Sequence, residues 1–103
     1  MKLLTKEIKE KFAKVGRQED VSDPLVVAKF FDPQGSWTWY ATEYDPENEI
    51  FFGWVHGHDE VGYVEKKEWG SFSLEELQSY TGPFMLGIER DIYFGYQRIS
   101  EIK

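Results

Sequence analysis

Hydrophobic positions along the chain recur first with a helical period and then with a period of two. Leu4, Ile8, Phe12 and Val15 are spaced by 4, 4 and 3 residues, which places them on one face of a helix. Thr5 stands where an N-cap side chain would accept from the first free backbone N–H groups, and Glu7 lies in the first turn, beside the positive end of the helix dipole. Gly16 is a natural stop. The stretch KEIKEKFAKV is therefore expected to form an amphipathic helix. With Glu7 and Glu10 among its lysines, it suits packing over a sheet better than lying on a membrane.

Beyond the polar connection RQEDVSDP the period changes. LVVAKFF (Leu25–Phe31), SWTWYATEY, EIFFGWVHG and VGYVEKKEW are rich in β-branched and aromatic residues, separated by the turn sequences DPQGS, DPENE and GHDE. In the first turn, Pro33 presets φ and Gly35 is free to take a positive one. Four such runs at short spacing predict an antiparallel meander. SFSLEELQSYTGP then carries a capping box, Ser73 with Glu76, and puts Leu74, Leu77 and Tyr80 on one helical face before Gly82 and Pro83 end it. In IERDIYF (Ile88–Phe94), Ile88, Arg90, Ile92 and Phe94 alternate with Glu89, Asp91 and Tyr93, which reads as a late strand; the tail RISEIK adds a short strand or a turn of helix. The expected fold is α+β. A mainly antiparallel sheet of about five strands carries the N-terminal helix on one face, and a short second helix crosses between strands. The 103 residues suit a single domain, 1–103.

Composition sharpens one question. Trp, Tyr and Phe number 4, 6 and 8, and each ring buries about 150–250 Å², so a small core does not need them all. Strict alternation through SWTWYATEY puts Trp37, Trp39, Ala41 and Glu43 on one face and Thr38, Tyr40, Thr42 and Tyr44 on the other. In the following strand Ile50, Phe52, Trp54 and His56 share a face opposite Phe51, Gly53 and Val55. One face belongs under the helix. The second, with its threonines and tyrosines, is expected to carry a shallow aromatic platform. The candidate binding residues are Trp37, Trp39, Tyr40, Tyr44, Glu43 and Arg90. Core and cross-strand packing account for most of these rings.

Charge narrows the partner. Lys and Arg number 12 against 19 Asp and Glu, a net charge of −7. That field repels phosphate backbones and disfavours direct nucleic-acid binding. The neighbours of the aromatic run are Glu43, Asp45, Glu47 and Glu49, whereas base-stacking surfaces interleave rings with cations. A protein partner is the expectation, and an acidic nucleic-acid mimic that inhibits a DNA-binding enzyme is the alternative. There is no cysteine, which removes disulfides, thiolate metal sites and cysteine nucleophiles. MKLLTKEIKEKF contains no signal-peptide core or membrane span, so a cytoplasmic location is expected.

Chemistry is sparse. His56 and His58 flank Gly57 beside Asp59 and Glu60, weak candidates as metal ligands for a metal-dependent enzyme. Both would project to one side only in an extended segment, and Gly57 favours a turn. The usual zinc spacings are missing, so a polar hairpin loop is the simpler reading and no cofactor is expected. Arg90, between Glu89 and Asp91, suits a structural ion pair, an edge-strand charge or the grip of a carboxylate or phosphate. GSFS lacks the pattern of a phosphate loop, and there is no G-x-S-x-G elbow. The absence of a catalytic constellation favours a non-enzymatic module.

The ordered set MKLLTKEI, WTWYATEYD, EIFFGWV, GYVEKKEWGSFSLEEL and GPFMLGIERDIYF resembles a family of small bacterial proteins catalogued as a domain of unknown function, DUF2958. The resemblance spans nearly the whole chain. It implies no activity and no site residues. It implies only the company of accessory genes of mobile elements, some of them antirestriction and DNA-handling genes.

Overall fold

The computed structural model describes residues 2–58, 65–80 and 86–102. Helix α1 (Lys6–Val15) begins at Thr5, whose hydroxyl accepts from the Ile8 N–H at 3.2 Å. It ends at Gly16, where φ is +73° and the backbone N–H donates to the Phe12 carbonyl. That left-handed φ costs glycine little and most other residues more. Ile8 and Phe12 are buried, as the spacing predicts.

Strands β1 (Leu25–Val26), β2 (Ala28–Phe31), β3 (Thr38–Asp45), β4 (Ile50–His58) and β5 (Glu65–Ser73) follow. Helix α2 (Leu74–Ser79) then leads to β6 (Glu89–Arg90), β7 (Gln97–Arg98) and a 3-10 turn at Ile99–Glu101. Five strands form one antiparallel sheet in the order β5-β4-β3-β2-β6. The architecture is α+β, with α1 on one face of the sheet. Helix α2 carries the chain from the β5 edge toward the β6 edge. The core gathers on this helix side around Phe51, whose ring lies 4.8 Å from Tyr44, 5.2 Å from Phe30, 5.5 Å from Phe72 and 5.8 Å from Phe12.

Several boundaries differ from the sequence reading. LVVAKFF is two strands, because β1 leaves the main sheet to pair with β7. The buried Gln18 side chain takes the place of a neighbouring strand there. It accepts from the Leu25 N–H at 2.7 Å and donates to the carbonyls of Leu25 and Thr42 at 2.8 and 2.7 Å. The last strand of the meander runs to Ser73, and its side chain caps α2 by accepting from Glu76 N–H. The late strand keeps only Glu89 and Arg90; Ile92 and Tyr93 lie in a turn and are exposed. The GHDE turn beyond His58, residues 61–64 of the VGYVEKKEW run and the Gly82–Pro83 helix stop lie outside the described residues.

The largest correction concerns the faces of β3. A β-bulge interrupts the pairing of β3 with β4 between Ala41 and Glu43. Thr42 is the additional residue. It is buried, and its hydroxyl donates to the Phe52 carbonyl at 3.1 Å. An inserted residue exchanges the faces of everything beyond it. Tyr44 therefore packs with Trp39's side of the sheet, over Phe12 and Phe51. Glu43, opposite Phe52, comes to the face of Tyr40.

Candidate functional site

The candidate binding residues occupy four places. Trp37 and Trp39 lie on the helix side, near the end of α2. Glu43 and Tyr44 sit just past the bulge. Tyr40 is on the opposite face. Arg90 is on the β6 edge, in register with the core residue Phe30, and its Nε is buried.

The face opposite the helices carries a different set. Register places Lys29, Tyr40, Trp54 and Trp69 in one row across β2, β3, β4 and β5. Phe52 stacks on Trp69 with centroids 5.9 Å apart, and Trp54 meets Trp69 edge-on at 5.5 Å. Phe52 and Trp69 are 39% and 36% exposed, large values for rings of this size. Lys29 Nζ lies 5.8 Å from the Tyr40 ring centroid and 3.6 Å from Asp91, within the range of a cation–π contact. Burial raises the Tyr40 phenol above its ordinary value. Alternation had already put Phe52 and Trp54 on one face. Their meeting with Tyr40 and Trp69 depends on register, which no single strand encodes.

His56 and His58 also stand on this face, because β4 stays extended through Gly57. The expected turn at Gly57 is replaced by a close contact on the other face: a Cβ on Gly57 would lie 2.5 Å from the Trp37 ring. Glycine is used here to seat an indole. Glu65 is 3.8 Å from His56 and 3.2 Å from Lys67. Among the described residues no group of three or more His, Asp or Glu side chains is placed to hold a metal ion, and Asp59 and Glu60 lie outside them. The cations Lys29 and Lys67 reach the sheet face from strands distant in sequence, so the neighbours of its rings are of mixed sign.

Clefts also open between the described elements. One of about 680 Å³ is lined by Phe12, Arg17, Glu43, Tyr44, Ile50 and Phe52, among others. The Tyr44 phenol is raised above its ordinary value by burial first, then by the charges of Glu49 and Asp45. Asp45 is held low, chiefly by the amide of Asn48, which donates at 2.8 Å. Since the folded phenol of Tyr44 has the higher pKa, the unfolded chain ionises first. The stabilisation is complete below about pH 10 and is lost as pH rises through the folded value. The urea midpoint should therefore fall more between about pH 8 and pH 11 in the natural chain than in Tyr44→Phe. Equal falls would show that Tyr44 contributes nothing to the alkaline limb.

The second cleft, of about 420 Å³, includes Trp37, Trp39, Val55, Glu68, Glu76 and Tyr80 in its lining. The sequence reading placed Tyr80 on the packed face of α2 and did not connect it with the tryptophans. Its hydroxyl donates to buried Asp32 at 2.8 Å, which ties the end of α2 to the turn before Trp37.

Fold and surfaces together define a small acidic α+β protein whose sheet displays aromatic side chains on both faces. Residues 3–102 match the family described as "Protein of unknown function (DUF2958)", and the chain belongs to that family. No curated protein and no solved structure matches it. Among the described residues, no helix is long and apolar enough to cross a membrane.

Proposed function

We propose that the protein is a non-enzymatic interaction module that docks a protein partner on the open sheet face. One observation carries this reading: the row Tyr40–Trp54–Trp69, extended by Phe52, faces away from both helices. Half-exposed Trp and Tyr clusters with a polar rim are the composition of binding hot spots. Lys29, Lys67, Glu43 and Glu65 supply a rim of both signs, suited to a protein surface rather than to a uniformly charged polymer. The wider expectation, accessory work in a mobile element, rests on the family resemblance.

A second reading is supported by the hairpin tip. Asp45, Glu47 and Glu49 are exposed there, and the Leu74 N–H donates to the Glu49 carbonyl. That bond brings Glu75 and Glu76 of α2 near the same end. Such a concentration of carboxylates favours the acidic-mimic alternative.

Affinity capture from native lysate at low and high salt separates the two. Exposed charge pairs are screened within about 3 Å at 1 M salt, whereas ring burial is not. The platform reading expects a protein that survives high salt and is lost with Phe52→Ser/Trp69→Ser. A DNA-binding protein held only at low salt, and lost with Asp45→Asn/Glu47→Gln/Glu49→Gln, would favour the mimic. Capture indifferent to both variants would overturn both.

A further inference from the structure

We propose that the cleft between α2 and the β4–β5 end of the sheet binds a small organic cation bearing a methylated ammonium group. The site is separate from the open sheet face, and its failure would leave that reading untouched.

Four rings line the cleft, those of Trp37, Trp39, Phe72 and Tyr80. Trp37 and Trp39 lie nearly parallel, 29° apart, with centroids at 6.5 Å. Tyr80 stands edge-on to Trp39, at 6.2 Å and 71°. Ring faces carry negative quadrupole potential, and clustered Trp and Tyr faces are how proteins recognise quaternary ammonium groups. The rings are anchored independently of any ligand. Trp37 lies on Gly57, its carbonyl accepts from the Asp32 N–H at 2.9 Å, and Tyr80 donates to Asp32. A site built before its ligand arrives loses less freedom on binding.

Charge selects the same class. Glu68 and Glu76 line the cleft with one cation, Lys66, whose ammonium is 3.2 Å from Glu68. Two carboxylates against one ammonium leave the cleft negative, within a chain of net charge −7. Methylation is selected by the rings. The Tyr80 hydroxyl is already bound to Asp32, and Val55 and Phe72 contribute only carbon. A primary ammonium or guanidinium seated against the rings would keep hydrogen bonds only toward Glu68, Ser71 and Glu76 and would give up the rest to carbon. A quaternary ammonium has no N–H to satisfy. The volume of about 420 Å³ falls in the range of small-molecule sites, about 300–1,000 Å³.

The test is an NMR titration of the intact protein with choline, with its neutral isostere 3,3-dimethylbutanol, and with methylguanidinium, following the tryptophan indole N–H signals. The proposal expects choline to shift the signals of Trp37 and Trp39 and to leave Trp54 and Trp69 in place. The neutral isostere and methylguanidinium should each bind at least about tenfold more weakly. Trp37→Leu should weaken choline by about tenfold. Glu76→Gln, at an exposed helix position where glutamine also serves a capping box, should weaken it by about two- to fivefold, less so at high salt. Equal binding of the neutral isostere would reduce the cleft to an apolar groove and overturn the proposal. Methylguanidinium binding as tightly as choline, shifts confined to Trp54 and Trp69, or no shift at all would overturn it as well.

Discussion

Gly53→Ala is expected to destabilise the protein by about 3–5 kcal/mol, a large share of the stability of a small domain. Gly53 lies opposite Ala41 at the β3 bulge. A Cβ there would stand 1.9 Å from the Tyr40 carbonyl oxygen, 2.8 Å from its carbon and 3.0 Å from Ala41 Cα. All three are backbone atoms of a central strand, so no side-chain rotation relieves the overlap. The bulge would have to open, and with it the carbonyl of Thr42 that Gln18 holds. Gly70 is the control, because it faces Gly53 across β4 and β5 in the same register. A Cβ at Gly70 meets nothing within 4 Å, so Gly70→Ala should lie within about 0.5 kcal/mol of the natural chain. Urea unfolding of the two variants checks the pair. Comparable losses would show that strand propensity, not the close approach at the bulge, sets the requirement for glycine.

The bulge also marks the limit of what the sequence made legible. Period and capping residues give α1, α2 and the central hairpin, since those signals are local: Thr5, Gly16 and Ser73 each act within four residues of their own position. The inward set Phe51, Gly53 and Val55 follows from alternation alone. Tyr44 and Glu43 were assigned to the wrong faces because an inserted residue has no signature in the strand that carries it. It exists only relative to the partner strand. The candidates were gathered mostly within residues 37–44, Tyr40 among them, for a related reason. Density of aromatics in one run is visible in sequence, whereas the row Tyr40–Trp54–Trp69 is assembled from three runs by register. Gly57 was read as a turn because glycine has two uses, and the second, making room for an indole, depends on a residue 20 positions away. Ile88–Phe94 alternates like a strand, yet only two of its residues find a partner on β2.

Phe51→Ala is expected to cost about 3–5 kcal/mol, and Phe52→Ala, one residue further along β4, less than about 1 kcal/mol. Phe51 is fully buried and touches the rings of Phe12, Phe30, Tyr44 and Phe72. These come from α1, β2, β3 and β5, so the side chain joins every layer of the core. Its removal leaves a void among rigid rings that cannot collapse into it, which is where the cavity contribution is largest. For a domain of this size the midpoint of thermal unfolding should fall by more than about 12 °C. Phe52 keeps more than a third of its surface in water and stacks on one neighbour, Trp69. Thermal and urea unfolding of both variants measure the difference directly. A large loss at Phe52 would mean that the open face is a second core, with something packed over it, and the docking proposal would fail with it. A small loss there beside a large one at Phe51 means that the platform rings are held in place without being needed for folding, the condition under which a surface is free to bind.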